Sequence, residues 1–135
     1  MHDATAAIPG WDPADPLVVK AIWSAVRRRG RWTPVPFIEA FPKGSNIELN
    51  FLEAPTDEPT IQVEVRPGMG GLLIVVPDSW GVNTDRLTAG WGSIRSHAAA
   101  AARPGSPLIA VSGSMGLGTF RSRGPNRFDR KRLAR

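Results

Sequence analysis

The sequence predicts a mainly β protein: a single-domain, β-solenoid-like stack of glycine-cornered repeats preceded by one N-terminal α-helix. Three observations lead to this fold class, namely a repeated Gly-small-apolar pattern, strands with two-residue alternation, and a short amphipathic segment near the start. A small β-sandwich with coincidental glycine turns is the alternative. The chain has 135 residues, which suits one domain with its own core.

The repeated pattern is a large apolar residue, a glycine, a small residue and an apolar residue that enters a strand. Its copies are Met69-Gly70-Gly71-Leu72, Trp91-Gly92-Ser93-Ile94, Leu117-Gly118-Thr119-Phe120 and, more loosely, Lys43 to Leu49. Taking Ile47, Leu72, Ile94 and Phe120 as equivalent spaces the copies roughly 22 to 26 residues apart, a period typical of stacked β-repeats. Glycine permits tight turns and close backbone approach. The predicted structural corners are Gly70, Gly71, Gly92, Gly116 and Gly118.

The N-terminal segment is predicted to hold an irregular lead-in, residues 1–14, and a helix within residues 15–30. Asp15 is a good N-cap, and Pro16 suits the first helical position, where a missing N–H costs nothing. Apolar residues then recur at three- and four-residue spacing, as on one face of a helix that ends near Arg29. Basic residues at that end complement the helix dipole, and Gly30 suits the C-cap. We expect this helix to pack on or cap the β-domain.

Residues 31–123 are predicted to form the β-repeat domain. Prolines between Trp32 and Pro42 exclude a helix there. Apolar and polar residues alternate over 47–51 and again over 61–66, which is the pattern of half-buried strands. The run from Leu72 to Val76 is apolar on both faces, so it is predicted to be the most buried strand.

Basic residues are concentrated after the last repeat. The net charge is +5, and residues 124–135 are predicted to be a mobile basic tail because they offer little to bury. The candidate interaction residues are Arg123, Arg127, Phe128, Arg130, Lys131, Arg132 and Arg135. Because arginines neutralise phosphates and Phe128 could stack on a base, a nucleic-acid-associated accessory role is the alternative function. No nucleic-acid-binding motif accompanies these residues, so nucleic acid is the less favoured partner.

No residue pattern predicts catalysis, metal binding or cofactor binding. The chain has no cysteine, and neither His2 nor His97 belongs to a pattern of nucleophile, base and orienting group. No cluster of His, Asp and Glu has the spacing of metal ligands. The glycine-rich segment 113–118 lacks both the Gly-Lys-Ser/Thr ending and the following helix of a phosphate-binding loop. We therefore expect neither an enzyme nor a metal or cofactor.

Several short motifs resemble those of a known family. A tryptophan-and-proline entry at 32–36 precedes the pair Glu53-Ala54, a valine-rich strand that closes on Pro77, and glycine-led segments at 92–94 and 113–118. In these features residues 31–123 resemble the C-terminal β-domain of the cell-wall-active antibiotic response proteins and related actinobacterial proteins of unknown function. The resemblance implies a non-catalytic bacterial β-domain, linked in some members to sensing or regulating cell-envelope stress through protein contacts.

The predicted function is that of a non-enzymatic, soluble protein-interaction or assembly module, regulatory in a cell-envelope stress response if the resemblance holds. A stack of strands has open ends whose unpaired backbone groups invite another chain, so a protein partner or self-association is expected. The contact surface is expected to include the tryptophans that are not buried in the core. The longest apolar run is far below the roughly 20 residues that span a bilayer. With no secretory signal at the start, we expect a cytoplasmic protein without a membrane span.

Overall fold

The computed structural model of the chain describes residues 8–134, which form a mainly β fold, as predicted. Ten strands and one helix are found in this part of the chain. They are β1 Leu17–Ala21, β2 Val26–Arg28, β3 Phe37–Pro42, β4 Ile47–Asn50, β5 Thr60–Val65, β6 Leu72–Val75, β7 Gly81–Thr88, β8 Ser93–Ser96, β9 Leu108–Ser114, β10 Thr119–Arg123 and α1 Arg127–Leu133.

The strands form two five-stranded sheets. Sheet A has the order β1-β3-β5-β9-β7, and sheet B has the order β2-β4-β6-β10-β8. Every neighbouring pair in both sheets is parallel. Each strand of sheet A is followed in the chain by a strand of sheet B, and we call such a consecutive pair a rung.

The register confirms the equivalence of the four repeat positions. In sheet B, Ile47 lies beside Leu72, Leu72 beside Phe120, and Phe120 beside Ile94. Val26 extends this row next to Ile47, so the first rung belongs to the same series. The repeated pattern therefore marks strands that are neighbours in sheet B.

The rungs do not stack in the order of the sequence. The rung β9–β10 lies between β5–β6 and β7–β8 in both sheets. A solenoid adds each coil next to the one before it, whereas this chain passes to the far end of the stack and then returns to fill the gap. The solenoid-like prediction is thus not confirmed, and the observed architecture is a pair of parallel sheets with a crossed rung order.

The predicted N-terminal helix is wrong. The segment from Pro16 to Arg29 instead contains β1 and β2, each paired with a neighbouring strand. Leu17, Val19 and Ala21 alternate with exposed residues, so the segment also carries a two-residue period. Valines favour strands, and parallel pairing with β3 overrides the helix-start signal at Asp15. Arg27 and Arg28 lie in β2 and Arg29 follows it, so these residues do not complement a helix dipole.

One core fills the space between the sheets. Alternating residues of β5, β9, β4 and β6 are buried, and they form a single cluster with residues of both sheets. Phe51 is fully buried and packs against Trp32 and Trp80, with ring centroids 5.0 Å and 5.5 Å away. Trp32 also donates from Nε1 to the Asn50 carbonyl at 2.7 Å. These two tryptophans therefore belong to the core and not to a contact surface.

Glycines stack where the chain turns from sheet A into sheet B. A Cβ on Gly70 would overlap the carbonyl oxygen of Ser45, one on Gly118 that of Gly70, and one on Gly92 that of Gly118. The requirement is for close backbone approach in neighbouring rungs, which only glycine permits. Gly71 is less constrained, because its nearest contact would be 3.0 Å away. Gly116 differs again, with a φ of 67° that disfavours other residues.

The C-terminal residues predicted to be a mobile tail contain helix α1. Asn126 is its N-cap and accepts a hydrogen bond from the Asp129 backbone N–H at 2.8 Å, while Asp129 Oδ2 accepts one from the Asn126 N–H at 3.0 Å. This reciprocal pair is a capping box, which satisfies two otherwise unpaired donors. The sequence signal for a helix was present in Asn126 and Asp129 but lay within a basic run.

Candidate functional site

The β1–β2 end of the stack is apolar and open. β1 and β2 are the outermost strands of their sheets in residues 8–134. Val18, Ile22 and Trp23 are exposed there, and Trp11 is exposed in the loop that leads into β1. An edge strand with exposed apolar side chains is a template for another strand.

This end also carries positive charge. Its basic residues are Lys20, Arg27, Arg28, Arg29 and Arg31. Arg29 donates to both carboxylate oxygens of Glu48, at 2.9 Å and 2.8 Å. That hydrogen bond raises the pKa of Arg29 and lowers the pKa of Glu48, against the opposing effect of burial on each. The remaining charges leave the end basic as well as apolar.

The β7–β8 end is built differently. β7 has a register shift between Asn83 and Arg86, the mark of a β-bulge. A returning segment covers the start of β7, since Val82 N–H donates to the Ala99 carbonyl at 2.7 Å and Arg103 N–H to that of Ser79 at 2.9 Å. Bulges and covering segments are devices that block edge-to-edge pairing.

A row of exposed apolar side chains runs along one corner of the molecule. We define the corner row as Trp23, Met69, Leu117 and Trp91, which are 95 %, 72 %, 59 % and 90 % exposed. Each lies in a turn from sheet A to sheet B, and backbone bonds from Trp91 to Gly116 and from Leu117 to Gly68 continue the ladder through the corner. The row crosses the stack from one end to the other with one gap, because Gly44 occupies the equivalent position in the β3–β4 turn between Trp23 and Met69.

An arginine row lies beside the corner row on the outer face of sheet B. Its members, Arg27, Glu48, Leu73, Arg121 and Arg95, are register neighbours from β2 to β8. A groove of about 610 Å³ lies over this face. Met69 and Leu117 from the corner row line the same groove. The two rows thus form one continuous amphipathic surface.

The charges of the arginine row are unevenly compensated. Glu48 is engaged by Arg29 and lies 3.9 Å from Arg27. Arg95 and Arg121 are direct neighbours on parallel strands, and neither has a carboxylate within 4.0 Å in the part of the chain that the structure describes. Like charges placed side by side on a sheet repel each other, so an anion bound between them would relieve that repulsion.

Three of the seven candidate interaction residues form ion pairs with carboxylates of the protein. Arg123 lies 2.9 Å from Asp129, Arg130 3.2 Å from Asp78, and Arg132 3.5 Å from Glu53. Burial alone would raise the pKa of Asp129, but the hydrogen bonds from the Asn126 backbone and Arg123 lower it overall. Phe128 is exposed, and Arg127 and Lys131 have no ion pair within residues 8–134. Arg135 lies outside the described residues.

The structure places His97 and the acidic residues apart from any metal-binding cluster in the described part of the chain. Within residues 8–134 no group of three or more His, Asp or Glu side chains could hold a metal ion. The imidazole of His97 is exposed, and its backbone N–H donates to the Ser122 carbonyl at 3.0 Å. His2 lies outside the described residues. In residues 8–134, α1 is too short and too polar to cross a membrane.

Sequence reasoning found the candidate arginines of the tail and missed those of the sheet. The signal was present, because an apolar residue precedes an arginine by four positions in Trp23-Arg27, Trp91-Arg95 and Leu117-Arg121. Those spacings fall within the repeats themselves. Comparisons with models of protein families, with curated proteins and with solved structures found no match.

Proposed function

We propose that this protein is a non-enzymatic interaction module that binds an extended segment of another protein at its β1–β2 end. The observation that carries the proposal is the contrast between the two ends of the stack. β1 is an outermost strand whose Val18 side chain is exposed, whereas β7 is bulged and partly covered. Main-chain hydrogen bonds to an edge strand supply affinity in strand addition, and side-chain pockets supply specificity.

The charge of the β1–β2 end specifies the kind of partner. Lys20, Arg28 and Arg31 favour a segment that alternates apolar and acidic residues. A second copy joined head to head would bring these basic residues together. Head-to-tail joining would meet the bulge of β7. Self-association is therefore less supported than a different, acidic protein.

The other predicted roles receive less support. A nucleic-acid role for the tail is weakened because Arg123, Arg130 and Arg132 are held in ion pairs with carboxylates. Regulation of a cell-envelope stress response, which the family resemblance implies, stays a prediction, since no comparison matched.

Site-specific photo-crosslinking tests the proposal. A photoreactive amino acid at Val18, in the native host, should cross-link a partner, and mass mapping should place the link in a segment that alternates apolar and acidic residues. The matched control carries the same group at Asn83, on the strand at the opposite end. Val18 is exposed and Asn83 is partly exposed, so neither replacement should unfold the protein.

An aspartate at either position completes the test. Val18→Asp replaces an exposed apolar side chain with a carboxylate that repels an acidic segment, so it should weaken binding of the mapped segment by about tenfold, whereas Asn83→Asp should leave binding unchanged. Equal binding by both variants would remove the β1 edge as the site. Cross-links from Val18 only to a second copy of this chain would replace the proposal with self-association.

A further inference from the structure

We infer that the corner row and the arginine row together bind the surface of a membrane that contains anionic lipids. The apolar side chains of the corner would enter the interfacial layer, and the arginines would contact lipid phosphates. This binding is distinct from strand addition at β1, because it uses the outer face of sheet B and reaches the opposite end of the molecule.

The geometry of the corner row suits a flat apolar boundary. Neighbouring strands of a sheet are about 4.8 Å apart, so a row that spans five strands extends over roughly 19 Å. Trp23 and Trp91 stand at its two ends and are almost fully exposed, with Met69 and Leu117 between them. Monomeric proteins rarely leave such aligned large apolar side chains in water unless they contact something. Tryptophan is also the residue enriched at membrane–water interfaces.

The arginines lie at the right distance behind this row. Arg27, Arg121 and Arg95 each follow a corner residue by four positions on the same rung. At no more than about 3.3 Å per residue, their Cα atoms lie at most roughly 13 Å from those of the corner residues. Long arginine side chains can bridge part of that distance toward the headgroup layer. Arg95 and Arg121 are neighbours in register, so they could share one phosphate.

A lipid surface fits these observations better than a single-stranded nucleic acid. Sequence-tolerant nucleic-acid grooves provide aromatic rings for successive bases. Here the two tryptophans lie at opposite ends of the corner row, and the residues between them are aliphatic. Glu48 also stands within the arginine row, where it would repel a phosphate chain that follows the groove.

A peptide is also a poorer occupant of this surface. Protein hot spots lie in well-packed pockets that are screened from water. Trp23 and Trp91 instead lie in turns outside the groove lining and are almost fully exposed, so the apolar row extends beyond the groove on both sides. An exposed apolar row flanked by cations is suited to shallow insertion into an anionic bilayer.

Vesicle binding tests the inference with the full-length chain. Sedimentation with phosphatidylcholine vesicles that contain about one-quarter phosphatidylglycerol should retain the protein, and pure phosphatidylcholine should retain much less. Trp23→Ser combined with Trp91→Ser should reduce the partition coefficient by about tenfold or more, because two large apolar side chains no longer enter the interface. Trp11→Ser, an exposed tryptophan outside the row, is the matched control and should bind like the wild type.

The arginine contribution is measured separately. Arg95→Gln with Arg121→Gln should lower retention on the anionic vesicles several-fold and leave the weak binding to neutral vesicles unchanged. Arg86→Gln with Arg103→Gln removes the same charge elsewhere and should have a clearly smaller effect. Circular dichroism confirms that each variant is folded. Equal retention of the tryptophan double variant and the wild type overturns the inference, and so does retention on polyuridylate RNA but not on vesicles.

Discussion

The two ends of the stack meet the same problem in different ways. Every sheet that does not close leaves two edge strands, and an unprotected edge invites another chain. At the β7–β8 end the edge is bulged near Asn83 and covered where Val82 pairs with Ala99. At the β1–β2 end the exposed residues include Val18 and Trp23, and neither device is found in residues 8–134. Within residues 8–134, one end is therefore closed to pairing and the other is available for it.

The crossed rung order explains how the closed end is made. Because β7–β8 is the terminal rung and β9–β10 is inserted inside it, the chain must return from the far end. The connection between β8 and β9 therefore passes over the terminal rung, and its residues cover the start of β7. Strictly sequential stacking would leave the last rung without such a returning segment. Rung order thus has a direct consequence for edge protection.

The largest expected loss of stability comes from substitution of the corner glycines, which let neighbouring rungs approach closely. A Cβ at Gly118 would overlap the Gly70 carbonyl, and one at Gly92 would overlap the Gly118 carbonyl. Gly118→Val strains an interior rung and should cost about 3 kcal/mol or more in the free energy of unfolding. Gly92→Val strains only the terminal rung, so we expect a smaller loss. Urea denaturation measures both.

The exposed His97 provides the control for that series. His97→Ala should change the free energy of unfolding by less than about 0.5 kcal/mol, as for surface substitutions in general. If Gly92→Val were tolerated as well as His97→Ala, close approach at the corner would not be the reason for glycine.

The next prediction removes the bulge, which is one of the two devices that protect the β7–β8 end. The β7 bulge adds one residue between Asn83 and Arg86, so deletion of Asp85 should restore regular pairing with β9. The straightened edge should then associate with other copies, and the sedimentation-average mass should rise with concentration. Deletion of Asp57, in an exposed turn, is the control. A variant that stayed strictly monomeric at millimolar concentration would show that the bulge does not protect this edge.

The sequence predicted the features that recur once in each rung, because their regular spacing in the chain can be recognised without coordinates. The glycine pattern and its apolar followers identified Ile47, Leu72, Ile94 and Phe120 as equivalent, and the register places them side by side. The order of the last two rungs could not be predicted, because Ile94 and Phe120 satisfy the same pattern whichever lies next to Leu72. Only the packing of the connections decides between the two orders.

The errors near the two termini have different physical causes. At the start, local signals favoured a helix from Pro16, but β3 supplies a parallel partner that makes the segment a strand. At the end, the capping box of Asn126 and Asp129 is a local helix signal that the surrounding basic residues obscured. The groove was missed because it is a tertiary feature, since Arg95 and Arg121 become neighbours only through the crossed rung order.

Helix α1 connects three inner rungs of the stack. It joins Glu53, after β4, to Asp78, before β7, and Asp129 anchors it to Arg123 at the end of β10. Asp129→Asn should cost about 1–2 kcal/mol at neutral pH, since two hydrogen bonds to a charged carboxylate are lost or weakened. Thermal unfolding followed by circular dichroism measures the loss. Asp57→Asn, in an exposed turn, should have almost no effect.

The same carboxylate makes the stabilisation by α1 pH-dependent. The folded-state pKa of Asp129 is lowered, so its stabilisation is fully present above the unfolded value of about 4 and is lost as pH falls through the folded value. The difference between the wild type and Asp129→Asn should therefore shrink steadily below about pH 4. A difference that stayed constant down to about pH 2 would exclude the ionised carboxylate as its source.

The smallest expected effect is a pH-dependent change in hydrogen exchange, which distinguishes the side-chain contacts of β2 from those of β8, the two terminal strands of sheet B. β2 is tied to β4 by Glu48, whose pKa is lowered chiefly by the hydrogen bond from Arg29. β8 is tied to β10 by hydroxyl pairs, Ser93 with Thr119 at 3.0 Å and Ser96 with Ser122 at 2.7 Å. The Glu48 contribution is present above the unfolded pKa of about 4.3 and is lost as pH falls below it, whereas hydroxyl pairs do not titrate in this range.

Hydrogen exchange should therefore separate the two strands on acidification. Because the Arg29 side chain is 54 % exposed, solvent screening limits the ion pair to less than about 1 kcal/mol. Between about pH 6 and pH 3 the protection of β2 amides, corrected for intrinsic exchange rates, should fall by up to about fivefold relative to β8. Glu48→Gln should show the lower β2 protection already at pH 6 and little further change. If β2 and β8 lost protection equally in the wild type, the Arg29–Glu48 ion pair would not be what stabilises β2 against β4. The pH dependence of protection would then have another source.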